Sequence, residues 1–230
     1  MYFRHSNGIW NDFPELAAGA IQTEGIRKDV AVEKHVAHFG AIARARLSEH
    51  TESELPEIQA WRRGFARMGL KPTQYRSASE ALLRRFRKEG ALPKIHPMID
   101  LCNAASLAYA IPVAVFDLAR ITGDLEVRPA VGDEIYTTFA GDVELPDLQE
   151  VIFADASGRA HARRWTNRQS GHSAVRDETA SVLIVAEALH VDAETDVRQL
   201  VDELHAAIRA IWSVNPRSAV LNRSAPSFGC

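Results

Sequence analysis

His172-Ser173-Ala174-Val175-Arg176-Asp177-Glu178-Thr179 runs without a break into Ala180-Ser181-Val182-Leu183-Ile184-Val185-Ala186. From Thr179 to Ala186 the chain is nearly continuously apolar and reads as a central strand, although periodicity alone does not separate such a run from a buried helix segment. Downstream, Val197, Leu200, Val201, Leu204, Ile208, Ile211 and Trp212 form a helical stripe of the kind that packs on a core. Upstream, Val113 to Phe116, Glu126 to Val131, Glu134 to Phe139 and Glu150 to Ala154 are short β-prone runs bounded by Gly, Pro and Asp.

Further back the helical period returns. Met98 to Tyr109 is apolar and Ala-rich and predicts a buried helix. Ser77-Ala78-Ser79-Glu80 has the spacing of a capping box and opens a helix that Gly90 closes. Pro56 favours the first position of a helix running to Met68 before Gly69. Thr23 reads as the cap of a long amphipathic helix through Ile26, Val30, Ala37, Ile42 and Leu47 to Ser48, and Phe13 to Thr23 can supply a strand. Helix-rich ends around a β-rich middle predict an α+β domain rather than alternating βαβ units. No internal repeat or low-complexity tract divides the chain. The expected organisation is an N-terminal extension of a strand and helices over residues 1–74 packed on the core, a core domain over 75–215 and a tail over 216–230.

With 230 residues, 46% of them hydrophobic and 25% charged, the chain can bury a sizeable core. The net charge of −3 argues against a strongly basic nucleic-acid binder, but the charge is unevenly placed. Between Arg62 and Lys94 ten basic residues face two acidic ones, a local +8, and the remaining 17 basic and 28 acidic residues sum to −11. This segment falls mostly on two predicted helices. It reads either as a solvated helix face or as a phosphate-facing surface, and a charge run alone does not decide between them.

Only Cys102 and Cys230 are present, so no structural disulfide is expected. With no basic leader and no long apolar stretch, the expectation is a cytoplasmic protein without a membrane partner. The usual signatures of nucleophilic, P-loop and zinc chemistry are absent. His35 and His38 share a helix face, but no third ligand joins them at a metal-binding spacing, so no metal is expected. Cys102, inside an apolar helix, reads as a small hydrophobe.

Two polar clusters stand out. Asp100 and Asn103 interrupt an apolar helix three residues apart and point the same way, where they either tie down a neighbouring loop or face a ligand. Arg164-Trp165-Thr166-Asn167-Arg168-Gln169-Ser170-Gly171-His172 is a dense set of amides, hydroxyls and guanidinium groups, either a polar turn or the lining of a pocket for a small polar ligand or nucleotide.

Taken in order, Leu83-Arg84, Gly90, Pro93, Ile99-Asp100-Leu101-Cys102-Asn103, Pro112-Val113-Ala114-Val115-Phe116-Asp117 and His172 to Thr179 resemble the B3/B4 domain of the bacterial phenylalanyl-tRNA synthetase β subunit, over roughly residues 75 to 190. The resemblance implies a three-layer α+β fold with an unusual β-sandwich core and flanking helices. In the synthetase this domain hydrolyses tyrosine wrongly attached to the phenylalanine tRNA. A free-standing relative would act in trans on a mischarged, aminoacylated tRNA, without a cofactor and with an aminoacyl-tRNA synthetase as a further candidate partner. Other readings are a non-catalytic tRNA- or RNA-binding module and an amino-acid-binding module that keep the fold.

Two departures bear on specificity. Ala114 stands where the family has a His, and an ungapped count from Thr179 puts Val185 where the family has the Glu that recognises the tyrosine hydroxyl. Glu187, two residues on, shares the strand face with Val185. The family's Gly-rich loop is replaced by Trp165 to Ser170, and the expectation is a pocket rebuilt for a different amino acid. On this resemblance Asn103, Pro112, Ala114, Thr166, Arg168, Val185 and Glu187 are the candidate substrate-binding residues. Asn167, Gln169 and His172 are the catalytic candidates, and Asp177, Glu178 and Thr179 fix the loop. Arg63, Arg67, Arg84 and Arg87 are expected to meet tRNA. An aminoacyl ester is activated, so a positioned water and a stabilised oxyanion suffice without a dedicated nucleophile.

Overall fold

The computed structural model describes residues 1–230. In chain order it contains β1 (Tyr2–His5), α1 (Asn7–Asp12), β2 (Ala17–Glu24), α2 (Glu33–Glu49), α3 (Pro56–Arg67), α4 (Ala78–Glu89), α5 (Pro97–Tyr109), β3 (Val113–Asp117), β4 (Leu125–Pro129), β5 (Ile135–Thr137), β6 (Val143–Glu144), β7 (Val151–Asp155), β8 (Arg159–Arg163), β9 (Arg168–Gln169), β10 (Ser181–Ala188), α6 (Ala193–Trp212), β11 (Arg217–Leu221) and β12 (Ser227–Gly229).

The Thr179–Ala186 run settles as β10, a strand and not a helix, in the middle of a four-stranded antiparallel sheet of order β11-β2-β10-β3. Its two faces serve two cores. Val182, Ile184 and Ala186 pack with α5 and α6 through Leu101, Ala105, Val197 and Leu204. Leu183 and Val185 point the other way, with Ala18, Ala20 and Phe116, onto Phe3, Val127 and Phe153 of the eight-stranded sheet of order β12-β1-β4-β7-β8-β5-β6, to which β9 adds beside β8. Helices, small sheet and large sheet are thus the three layers, and the run lacks alternation because β10 is buried on both sides.

Local signals in the helices were legible. Ser77 Oγ accepts from Glu80 N (3.3 Å) at the start of α4, and Gly90, at φ 77°, closes it with its N–H on Phe86 O. Only half of the expected capping box forms, because the Glu80 side chain turns inward to Arg62 (2.7 Å). Pro56 and Pro97 open α3 and α5, and the α6 stripe is buried as its period predicts.

The N-terminal region differs from its reading. The helix expected from Thr23 begins at Glu33, because β2 continues to Glu24 in register with Ser181 and Gly25 then turns the chain at φ 77°. Both strands of residues 1–74 lie inside the sheets, β2 between β10 and β11 and β1 between β4 and β12, while the last 15 residues supply β11 and β12. The core sheets are therefore built from both chain ends.

Candidate functional site

Antiparallel pairing sets Val185 opposite Ala114, and both side chains face the space between the sheets. Glu187 follows on the same face, with its backbone N–H on Pro112 O. Against this edge folds the turn after β8. Its backbone is left-handed at two successive non-glycine residues, Arg164 (φ 47°) and Trp165 (φ 57°), a conformation costing about 1–2 kcal/mol per residue.

The turn is held on every side. Arg164 N donates to Glu150 Oε1 (3.0 Å), Trp165 N to Val151 O (2.7 Å), and Ala78 N, at the start of α4, to Thr166 O (2.8 Å). Asn167 Nδ2 donates to Arg76 O (2.8 Å), and the Arg164 guanidinium lies over the Tyr75 ring. Glu150 is itself clamped by Arg163 at 2.9 and 2.7 Å.

This geometry drives the Trp165 indole inward to complete burial, edge-on to Trp61 and Phe13 at ring-centre distances of 5.1 and 4.8 Å. Its Nε1–H donates to Glu187 Oε1 (2.8 Å), and His5 Nε2 lies 2.6 Å from the same oxygen. Trp61 Nε1 donates to Glu187 O (3.2 Å). Glu187, 2% exposed, is thus a buried carboxylate met by two ring nitrogens on one oxygen, an arrangement that offsets part of its desolvation.

Between the turn and the strands a cavity of about 50 Å³ remains, lined among others by Pro112, Ala114, Thr166, Asn167, Val185 and Glu187. Arg168 and Gln169 line it as well. Thr166 Oγ1 is buried there without a hydrogen-bond partner. Eight residues singled out from sequence therefore converge on one cleft.

Two of the eight have committed amides: Asn167 Nδ2 is used on Arg76 O, and Gln169 Nε2 donates to Val115 O. Arg168 pairs with Glu144 (3.1 Å) and lies over the Tyr136 ring. Asn103 and His172 are elsewhere. Asn103 lines a separate cavity of about 500 Å³ beside Arg44, Phe86, His96 and Asp100. Asp100 does tie down a loop, its Oδ1 accepting from Ile95 N (2.9 Å).

His172 sits by His161, ring centres 6.0 Å apart, and burial pushes its imidazole below the ordinary value. His161 in turn meets Asp155 (3.3 Å) and Ser173 Oγ (2.8 Å). Burial works against the charged Asp155, but hydrogen bonds from His161, Ser157, Thr122 and Arg159 outweigh it and hold the carboxyl well below the usual range. The Asp177–Thr179 segment fixes its loop: Thr179 Oγ1 donates to Asp117 Oδ2 (2.8 Å) and Asp177 pairs with Lys28.

The basic segment is largely neutralised by carboxylates. Arg62 and Arg76 meet Glu80, Arg84 and Arg87 meet Glu52, Arg67 meets Glu15, Arg85 meets Glu89 and Lys94 meets Glu33. Three of these partners lie outside the segment, where a local count does not see them. Arg84, Arg85, Arg87 and Lys88 surround a hollow on α4, whereas Arg63 lines a different cleft with Glu15 and Arg223.

Sequence spacing also gave no sign of Glu57, His190 and Asp196, whose ligating atoms lie within 4.8 Å of one another. Each already has a charged or hydrogen-bonding neighbour, with Arg46 on Glu57 (2.6 Å) and Asp196 on His190 (2.7 Å). No helix is long and apolar enough to cross a membrane.

The family model "B3/4 domain" matches residues 60–206. The phenylalanine–tRNA ligase β subunit of Shewanella oneidensis is 29% identical over 116 residues, covering 50% of this chain and 14% of the ligase subunit. That of Nocardia farcinica is 35% identical over 77 residues, 34% of this chain and 9% of the subunit. The chain thus spans about a tenth to a fifth of the curated relatives it matches. An N-terminal fragment of the phenylalanyl-tRNA synthetase β subunit from Pyrococcus horikoshii superposes with a TM-score of 0.50 at 9% identity, over 94% of this chain and 50% of that one, a likeness of fold.

Proposed function

From the premise that the chain belongs to the B3/4 domain family, we propose that it is a trans-editing protein that hydrolyses the ester of a mischarged tRNA in the cleft beside Trp165. The observation that carries this reading is the meeting of Pro112, Ala114, Thr166, Asn167, Arg168, Gln169, Val185 and Glu187 around one cavity. These residues come from three strands (β3, β9 and β10), the residue before β3 and a strained turn, held by hydrogen bonds in a single arrangement. A site held so tightly needs little reorganisation when a reaction begins.

In this reading the aminoacyl side chain enters the cavity and the ester lies at its mouth. Asn167, with Nδ2 fixed on Arg76 O, offers Oδ1 as the acceptor that orients water. The half-exposed Arg168 guanidinium faces the developing oxyanion. The water oxygen attacks the carbonyl carbon and the bond from that carbon to the ribose oxygen breaks. One water proton ends on the ribose hydroxyl and the other leaves with the new carboxyl group, giving free amino acid and uncharged tRNA. Gln169 acts indirectly, by pinning β9 to β3 through Val115 O. His172 takes no part in this step. The basic hollow of Arg84, Arg85, Arg87 and Lys88 is the proposed tRNA-backbone contact.

The test is release of labelled amino acid from a panel of aminoacyl-tRNAs, correctly charged and mischarged. Hydrolysis of at least one ester, slowed in Asn167→Ala, is expected. Intact esters throughout, with tRNA still bound, would reject the enzyme in favour of a binding module.

A further inference from the structure

A benzene ring is accommodated by an apolar cavity of about 150 Å³, and one water takes roughly 30 Å³ of liquid volume. The cleft has about 50 Å³. That is about a third of the space a ring needs, so the cleft as it stands admits only a small side chain and no ring. What fills the remaining space is the Trp165 indole, which stands between the Glu187 carboxylate and the large sheet.

Trp165 is not a loose occupant. It is fully buried, touches Trp61 and Phe13 edge-on, hydrogen-bonds Glu187 Oε1 and belongs to a turn fastened to Glu150, Val151, Ala78 and Arg76. Swinging it out would expose the indole and strip a donor from a buried carboxylate, and the left-handed backbone would lose the packing that offsets its cost.

The walls that remain have a mixed character. Ala114, Val185 and Pro112 are apolar, whereas Thr166 Oγ1 is buried with no partner, and both ring nitrogens at Glu187 fall on Oε1. A side chain that fits must be small, and one that carries a hydroxyl satisfies the orphaned Thr166.

We infer that Trp165 is a specificity-determining residue that restricts the site to aminoacyl groups with the smallest side chains, seryl first, then alanyl and glycyl, and closes it to tyrosyl and phenylalanyl groups. This rests on the editing reading for its reaction but on the cavity for its selectivity. The two are tested separately.

One tRNA is charged chemically with serine, alanine, glycine, tyrosine or phenylalanine, so that tRNA identity is constant, and single-turnover deacylation is followed. Binding of the amide-linked, non-hydrolysable seryl- and tyrosyl-adenosine analogues is measured in parallel. The wild type should prefer seryl over tyrosyl groups by roughly 100-fold or more in rate or affinity. Trp165→Ala should reduce that preference at least tenfold by admitting the ring. Thr166→Val, nearly isosteric, should lower the seryl-to-alanyl ratio and leave tyrosyl groups excluded, which keeps the test usable if Trp165→Ala does not fold.

Selective binding without hydrolysis would overturn the editing reading and leave the pocket assignment standing. Hydrolysis of tyrosyl and seryl esters at similar rates would overturn the pocket assignment and leave editing standing. Neither binding nor hydrolysis would overturn both.

Discussion

Replacing Arg163 with Met tests whether the turn at Trp165 is held by a buried ion pair. The guanidinium is almost wholly enclosed, donates to both oxygens of Glu150 at 2.9 and 2.7 Å and reaches Glu144 at 2.6 Å. Side-chain exposures of 5% for Arg163 and 4% for Glu150 mean that water does not replace the missing partner. Breaking such a pair from one side costs about 3–5 kcal/mol, because a charge is left buried and unpaired. For a chain of this length that corresponds to a fall in melting temperature on the order of 10 °C.

The pH dependence supplies the sharper check. Burial opposes ionisation of Glu150, but the Arg163 guanidinium outweighs it and keeps the carboxyl below its ordinary value. A group whose folded pKa is depressed contributes stability above its unfolded pKa, about 4.3 for Glu, and loses it as pH falls through the folded value. In the variant Glu150 loses the guanidinium that outweighs its burial, keeps only donors such as Arg164 N, and takes up a proton at a higher pH than in the wild type. The difference between wild type and variant should therefore be largest near pH 7 and shrink towards pH 4. Urea unfolding at both pH values measures it. A difference below about 1 kcal/mol at pH 7, or one that stays constant down to pH 4, would refute the claim that this pair fastens the turn.

Three further outcomes follow from other parts of the fold. A methyl at Gly19 would collide with the Val201 and Val197 side chains of α6, so Gly19→Ala should destabilise by about 1–3 kcal/mol in urea; a neutral result would mean that α6 shifts freely on the sheet. Cys102 is buried and its thiol is pushed far up by burial, so a thiol reagent at pH 8 should modify only Cys230 in the native protein and both cysteines after denaturation. Lys88, beside Arg84 and Arg87 but in no ion pair of its own, should contribute to tRNA affinity: Lys88→Glu should flatten the salt dependence by roughly 0.7–0.9 for each phosphate no longer neutralised, and an unchanged slope would remove the α4 face from the proposed tRNA surface.

Local physics made much of this molecule readable from its sequence, and distance in the chain set the limit. The caps at Ser77 and Gly90 and the α6 stripe depend on neighbours within one or two turns, so their spacing was enough. Val185 and Glu187 were legible as one strand face from the period of two, whereas Ala114 joined them only through the family resemblance, and the antiparallel ladder that sets it opposite Val185 appears in the fold. The chain that completes the site comes from far away. His5 reaches Glu187 across 182 residues, and Trp61 and Phe13 box in an indole that the local sequence presents only as part of a polar segment.

The same limit governs the charges. Glu15, Glu33 and Glu52 meet Arg67, Lys94, Arg84 and Arg87 only after folding, so a local +8 overstated the free positive charge. Asn103 shows the limit inside a correct local reading. It does share a helix face with Asp100, but α5 packs on the side of the small sheet opposite to Ala114, and that face opens onto another cavity. Spacing along one element fixes which residues look the same way. Only the packing of layers decides what they look at, and here it puts Trp165, rather than Asn103, against the carboxylate at the base of the cleft.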